Sequence, residues 1–222
     1  MSDMVDPMVP TPRFEDEHFA ERHETFLRWI SEKPIDLVLL GDSITRRWVE
    51  FPEANEHYWG KYRMVNFGVG ADAVQNLLWR TLNGEMDGFT AQVISLLIGT
   101  NNLPTNSGAE IAPAIRKVVE TIREKQPQAR IILNLLFPRG PQREEDGTDD
   151  DPYFMDQLRI VNNELRQLHD GKSVHVLDMS EAFIGPDGEI IEDHMPDRLH
   201  LVESGFRIWG DVLEPLVSSL MS

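Results

Sequence analysis

The chain contains no cysteine among its 222 residues. This absence excludes disulfide bonds, thiolate nucleophiles and cysteine-ligated zinc sites. The N-terminal stretch has neither the basic segment nor the apolar segment of a secretory signal. No apolar run approaches the ~20 residues needed to cross a bilayer. From the sequence we therefore expect a cytoplasmic protein without a membrane span.

Basic residues are scarce as well, with 21 Lys and Arg against 38 Asp and Glu, so the formal net charge is −17. A surface this acidic should repel nucleic acid and anionic membranes. The tight basic clusters, Arg46-Arg47 and Lys61-Tyr62-Arg63, are too short to follow a phosphate backbone. We therefore expect no nucleic-acid partner.

The apolar residues form short continuous runs that alternate with helical patterns. The runs predict strands over residues 35–40, 62–67, 92–98, 130–137 and 173–177. The helical patterns cover residues 14–33, 72–82, 107–125, 153–169 and 204–220. This alternation predicts a three-layer α/β/α sandwich with a parallel sheet of about five strands.

The domain organisation follows from composition. Residues 1–13 carry three prolines and little periodicity, which predicts a flexible N-terminal arm. Residues 14–222 show no internal repeat or linker, and we expect a single domain there. Residues 138–152 are rich in carboxylates and predict a long surface loop that borders the active site and disfavours anionic substrates.

Ser43 stands directly after the first predicted strand and opens a predicted helix. Open α/β sheets bind their ligands at the carboxyl ends of the strands, and the amide groups of a helix start favour negative charge. Taken alone, Ser43 or the preceding Asp42 fits the role of a helix N-cap equally well.

Three further segments should lie at the same sheet edge: residues 68–72, 99–102 and 197–200. Acyl transfer by a serine needs a nucleophile, a base, a group that orients the base and donors for the oxyanion. In isolation, Asp197 and His200 fit a capping pair, and Asn101 fits a turn. His194 is the weaker base candidate, because its loop offers no matching carboxylate to orient the ring.

Read in order, GDS at residues 41–43, GTNN at 99–102 and DRLH at 197–200 resemble the blocks of the GDSL, or SGNH, hydrolases. The stretch NFGVGADAVQNLLWR at residues 66–80 is similar to the catalytic subunits of intracellular platelet-activating factor acetylhydrolase. The resemblance implies a flavodoxin-like fold with strand order 2-1-3-4-5. It also implies a serine esterase that hydrolyses short-chain esters, with acetyl as the preferred acyl group, and no cofactor.

Carried over residue by residue, the resemblance makes Ser43 the nucleophile, His200 the general base and Asp197 the residue that orients the imidazole. The oxyanion hole would consist of the backbone amides of Ser43 and Ala71 and the side-chain amide of Asn101. The family usually has glycine where this chain has Ala71, so a positive φ there would be strained.

Several alternatives remain at this stage. An acyltransferase would use the same acyl-enzyme with another alcohol in place of water. Gly68-x-Gly70-x-x-Ala73 fits a dinucleotide fingerprint, with Asp87 as a ribose-binding acid. Residues 149–151 are three consecutive aspartates that offer a weak metal-site candidate. The expected partner is a small-molecule ester, and a homodimer stays open because the sequence does not determine the oligomeric state.

Overall fold

A computed structural model describes residues 5–140 and 153–221. The strands are β1 (Leu37–Gly41), β2 (Met64–Gly68), β3 (Val93–Leu97), β4 (Arg130–Asn134) and β5 (Val174–Leu177). The helices are α1 (Glu17–Glu32), α2 (Ser43–Arg46), α3 (Pro52–Trp59), α4 (Val74–Arg80), α5 (Gly108–Lys125), α6 (Tyr153–Arg166) and α7 (Glu203–Leu220). Short 3₁₀ turns occupy Arg47–Glu50, Thr100–Asn102 and Ser180–Phe183.

The sheet confirms the predicted topology. The strands of the described chain pair in parallel in the order β2-β1-β3-β4-β5. Every residue of β1 and β3 is buried, which explains why these strands are continuous apolar runs rather than alternating ones. Helix α5 packs against α4 and α6, and α3 packs against α7, so helices cover the sheet as an α/β/α sandwich. The carboxyl ends of β1, β2 and β3 thereby meet at one edge.

The helix starts differ from the predicted ones for local reasons. Helix α1 begins at Glu17 rather than residue 14, because the Asp16 side chain accepts hydrogen bonds from the amides of His18 and Phe19. Helix α4 begins at Val74 rather than residue 72, because the residues before it form a turn after β2.

An aromatic cluster joins the two segments of the chain that carry candidate site residues, one after Ser43 and one after His200. The ring centroid of Trp48, just after α2, lies 5.3 Å from that of Trp59 and 4.8 Å from that of Phe206. Trp209 on α7 lies 5.4 Å from Trp48. All four side chains are almost fully buried. The cluster therefore fixes the helix after Ser43 against the helix after His200.

The N-terminal segment, residues 5–13, lies against the domain. The Thr11 amide donates to the Gln75 carbonyl at 3.1 Å, and Asn76 Nδ2 donates to the Thr11 carbonyl at 2.9 Å. Lys117 Nζ donates to the Met8 carbonyl at 3.0 Å. Side chains from distant helices therefore hold the backbone of residues 5–13, which belong to the segment predicted as a flexible arm.

None of the helices in the described ranges combines the length and apolar character that crossing a membrane requires.

Candidate active site

Ser43 is the first residue of α2, immediately after β1 and a single connecting residue. A Cβ on Gly41 would lie 2.2 Å from the Leu97 carbonyl oxygen, and one on Gly68 would lie 2.3 Å from the Arg46 amide nitrogen. Only glycine permits such close backbone approaches. Gly68 lets α2 pass tightly over the end of β2, and Gly41 lets the end of β1 lie close to β3, so Ser43 stands at the sheet edge.

The loop before α7 brings a base to Ser43. His200 Nε2 lies 3.0 Å from Ser43 Oγ, and His200 Nδ1 lies 2.6 Å from Asp197 Oδ2. Asp197 Oδ1 accepts hydrogen bonds from the backbone amides of Leu199 at 3.1 Å and His200 at 2.6 Å. With Nδ1 donating to Asp197, the neutral ring presents its Nε2 lone pair to the serine hydroxyl. This arrangement can take a proton from Ser43.

The charge state of Asp197 suits this arrangement. Partial burial opposes ionisation, but the hydrogen bonds from the backbone amide and imidazole of His200 outweigh it and hold the pKa of Asp197 below its ordinary value. An ionised Asp197 can both fix the ring orientation and stabilise the imidazolium that forms during proton transfer.

Two further predicted residues converge on the same place. Ala71 lies in the turn after β2 with a φ of 60°, the left-handed region that its Cβ disfavours. Asn101 lies in the 3₁₀ turn after β3, and its Nδ2 donates to the Asp72 carbonyl at 2.9 Å. An amide nitrogen carries two hydrogens, so the second hydrogen of Asn101 remains for a ligand.

The neighbouring Asn102 differs from Asn101 in its surroundings. Its Oδ1 accepts from the Val74 amide at 2.9 Å, and its Nδ2 donates to Gln75 and Asn106 at 3.0 and 3.2 Å. It is 1% exposed, and its hydrogen-bonding groups are engaged by protein partners. Asn102 therefore holds the start of α4, whereas Asn101 lines the cleft.

These groups share a cleft of about 420 Å³. Its described lining consists of Ser43, Arg46, Arg47, Ala71, Asn101, Arg139, Leu199 and His200. The apolar side chains in this lining are the small Ala71 and one larger residue, Leu199. The described walls therefore offer little apolar surface for a long acyl chain.

Residues 39–208 match the GDSL-like Lipase/Acylhydrolase family. The chain belongs to this family. It is 30% identical over 208 residues to platelet-activating factor acetylhydrolase IB subunit alpha2 of Rattus norvegicus, a match that covers 93% of this chain and 86% of that relative. It is also 30% identical over 212 residues to subunit alpha1 of Homo sapiens, with coverage of 93% and 86%.

Solved structures of the family share the fold. A GDSL-like lipase from Bacteroides thetaiotaomicron superposes with a TM-score of 0.70 at 14% identity, covering 89% of this chain and 98% of that one. A member of the lipolytic G-D-S-L family from Veillonella parvula gives 0.57 at 20% identity, covering 80% and 94%. Family membership and the acetylhydrolase relatives identify this GDSL-like protein as a carboxylic ester hydrolase.

The cleft of this GDSL-like hydrolase is locally cationic, although the whole chain is acidic. Arg46 and Arg47 both pair with Glu50, at 2.6 and 2.9 Å, and together leave one net positive charge at the rim. Arg139 is almost buried and donates to the Thr100 carbonyl. Burial lowers the pKa of Arg139, and the carboxylates of Asp42 and Asp197 oppose that effect. No sequence pattern predicts that these three arginines line the cleft, because their approach to Ser43 depends on the fold.

Arg80 is a further arginine near the site that no sequence pattern predicts. It is fully buried, and its Nε donates to Asp72 Oδ2 at 2.8 Å while its NH1 pairs with Glu85. Its NH2 donates to the carbonyls of Gly41 and Phe67 at 3.3 and 3.2 Å. Burial works against the charge, but Glu85 and Asp72 raise the pKa of Arg80. Arg80 thus ties the ends of β1 and β2 to the turn that contains Ala71.

The dinucleotide alternative does not fit this arrangement. The Ala73 amide is bound by Asn76 Oδ1 and the Val74 amide by Asn102 Oδ1, both at 2.9 Å, so side chains of the protein already occupy donors at the start of α4. Asp87 pairs with Lys125 at 2.8 Å. A pyrophosphate at this helix start would therefore have to displace existing partners.

Three other expectations have different outcomes. His194 Nδ1 lies 2.9 Å from Ser204 Oγ and is absent from the cleft lining, so it is not the base at Ser43. Residues 149–151 and nearly all of the predicted acidic loop lie outside the described residues. Within the described residues, no group of three or more His, Asp or Glu side chains could hold a metal ion.

A second cavity, of about 400 Å³, lies between α6 and the Ser180–Phe183 turn. Its polar lining includes Asn162, whose amide group donates to the Leu136 carbonyl and accepts from the Leu136 amide, each at 2.9 Å. Asn162 therefore holds the chain after β4. In contrast to the Ser43 cleft, the described lining of this cavity contains no serine–histidine pair.

Asp42 titrates in an unusual range because it is completely buried. Its Oδ1 accepts from the Ile44 amide at 2.9 Å and thereby caps α2, whereas its Oδ2 is buried without a hydrogen-bond partner in the described chain. Burial raises the pKa of Asp42 from 3.8 to about 7. Between these values the native state binds the proton that the unfolded state releases, so stability falls as pH rises.

We expect Asp42→Asn to remove this pH dependence. Asparagine keeps the capping oxygen but does not ionise. The free energy of unfolding of the variant relative to wild type should rise by about 1 kcal/mol per pH unit between about pH 5 and pH 7, then level off. Urea unfolding across this range measures the difference. Stability curves that run parallel for the two proteins would contradict a raised Asp42 pKa.

Proposed function

We propose that this GDSL-like hydrolase cleaves short-chain esters, with acetyl preferred, through an acyl-serine intermediate on Ser43. The observation that supports this proposal is the hydrogen-bonded series from Asp197 through His200 to Ser43, in a cleft that also contains Ala71 and Asn101. Each requirement of serine acyl transfer thereby has a residue of the right chemistry within the same cleft.

In the first half of the proposed reaction, Ser43 Oγ attacks the ester carbonyl while His200 Nε2 takes the hydroxyl proton. The carbonyl oxygen becomes an oxyanion that accepts hydrogen bonds from the Ser43 and Ala71 amides and from Asn101 Nδ2. His200 then gives its proton to the leaving alcohol as the carbon–oxygen bond breaks, which leaves Ser43 acylated.

In the second half, His200 takes a proton from water, and the resulting hydroxide attacks the acyl carbon. Collapse of this intermediate returns the proton to Ser43 and releases the acid. An acyltransferase would use another alcohol at this step. The described cleft is open enough for water, and the acetylhydrolase names of the relatives favour hydrolysis.

The described lining supports a short acyl group, because it provides only Ala71 and Leu199 as apolar contacts. Each methylene that stays in water forgoes roughly 0.8 kcal/mol of burial. We expect kcat/KM to decrease by about tenfold or more from p-nitrophenyl acetate to p-nitrophenyl octanoate. Ser43→Ala serves as the blank for background hydrolysis. Activity that increases with chain length would contradict the acetyl preference.

A further inference from the structure

Arg13 lies in the N-terminal segment, outside the stretch that matches the family, yet its side chain reaches the turn that contains Ala71. Its NH2 donates to the Gly70 carbonyl at 2.7 Å and to Asp72 Oδ1 at 3.1 Å. The side chain is 19% exposed, and its NH1 pairs with Asp16 at 3.4 Å. One guanidinium nitrogen therefore contacts the residues on both sides of Ala71.

The Gly70 carbonyl and the Ala71 amide belong to the same peptide group. The group is planar and trans, so its C=O and N–H point in opposite directions. When Arg13 fixes the carbonyl on one side, it also fixes the N–H on the other. Ala71 lines the cleft, and its N–H has no hydrogen-bond acceptor in the ranges that the structure describes. This N–H is one of the proposed oxyanion donors.

The conformation of Ala71 needs such support. Its φ of 60° is unfavourable for a residue with a Cβ, and such residues persist where the surrounding contacts over-determine them. Three side chains hold the residues next to Ala71. Arg13 binds Gly70 and Asp72, Arg80 binds the Asp72 carboxylate, and Asn101 binds the Asp72 carbonyl. Among the hydrogen bonds of the described residues, only that of Arg13 binds the peptide group that carries the Ala71 N–H.

We propose that Arg13 is a positioning residue of the oxyanion hole and that the N-terminal segment is consequently part of the active-site machinery. This inference rests on the proposed function. The guanidinium holds Ala71 at positive φ and orients its N–H, and its charge polarises the peptide so that the N–H donates more strongly. The alternative is that Arg13 only fastens the N-terminal segment, as Thr11 does.

The test compares Arg13→Gln with Arg28→Gln, which removes the same charge from an exposed arginine of α1. With p-nitrophenyl acetate, Arg13→Gln should lower kcat on the order of tenfold, less than the 10²–10³ of a lost oxyanion donor, and leave KM nearly unchanged. Arg28→Gln should stay within about twofold of wild type. Circular dichroism at the assay temperature shows whether each variant is folded.

Repeating both substitutions in an Ala71→Gly variant distinguishes the two roles of Arg13, positioning of the Ala71 N–H and attachment of the N-terminal segment. Glycine adopts positive φ without a Cβ clash, so the turn should keep its shape without Arg13. We expect the kcat loss from Arg13→Gln to shrink to about threefold or less in this background. A role limited to fastening the N-terminal segment predicts equal losses in both backgrounds.

Each outcome bears on one proposal. A folded Arg13→Gln variant with wild-type kcat, a change confined to KM, or equal losses in the two backgrounds would overturn the positioning role of Arg13. Wild-type activity in Ser43→Ala would instead overturn the proposed function. An inactive Ser43→Ala variant together with a fully active Arg13→Gln variant would leave the proposed function intact and reject only the inference on Arg13.

Discussion

Ser43→Ala is expected to lower kcat/KM for p-nitrophenyl acetate on the order of 10⁴-fold or more, because it removes the atom that would become acylated. The hydroxyl lies 3.0 Å from His200 Nε2 at an open cleft, and its loss leaves no core cavity. The melting temperature should therefore change by only about 2 °C or less.

Ser31→Ala is the matched control, since Ser31 is exposed and its hydroxyl bonds only to the neighbouring Arg28 carbonyl of α1 among its described contacts. This variant should keep wild-type rates. If a folded Ser43→Ala variant retains activity close to that of the Ser31→Ala control, the hydrolysis must proceed through another nucleophile.

Asn101→Ala should give the second-largest loss, on the order of 10²–10³ in kcat with a much smaller change in KM. The free hydrogen of Asn101 Nδ2 is proposed to bind the oxygen only as it gains negative charge, so its removal raises the barrier more than it weakens substrate binding. Its other hydrogen, bound to the Asp72 carbonyl, is a single half-buried contact.

Asn102→Ala provides a contrast one residue away. It would leave the Val74 amide, Gln75 and Asn106 without their present partner in the core. We expect a loss of about 2 kcal/mol or more in the free energy of unfolding, with kcat of the folded protein less affected than in Asn101→Ala. An Asn101→Ala variant that changes KM alone would assign Asn101 to ground-state binding of the substrate.

The apolar pattern was sufficient to predict the sheet, and the resemblance to the GDSL hydrolases was needed to group Ser43, Asp197 and His200 in one site. Buried parallel strands have continuous apolar runs, and their carboxyl ends must meet at one edge, so the segments directly after β1, β2 and β3, which carry Ser43, Ala71 and Asn101, approach each other whatever the details of the loops. Asp197 and His200 are only three residues apart in the sequence, so their contact does not depend on the rest of the fold. These features depend on strand order and chain direction, both of which the alternating pattern restricts.

The contacts that hold the turn around Ala71 could not be predicted in this way. Arg13 meets Gly70 across 57 positions and Asp72 across 59, and no periodic pattern encodes such a pair. The prolines of residues 1–13 suggested mobility, yet hydrogen bonds from distant side chains fix residues 5–13. Likewise, Asn101 and Asn102 are the same residue type at adjacent positions. Only their packing shows that Asn101 lines the cleft and that Asn102 is buried and holds the start of α4.

Covalent labelling with diethyl p-nitrophenyl phosphate tests the central claim most directly, because this reagent forms a stable adduct with an activated serine. The account predicts that activity decreases in proportion to the attachment of one diethylphosphoryl group per chain, that peptide mass spectrometry locates the group on Ser43, and that Ser43→Ala takes up no label. Labelling of another residue in parallel with inactivation, or full activity after Ser43 is modified, would contradict Ser43 as the nucleophile of this ester hydrolase.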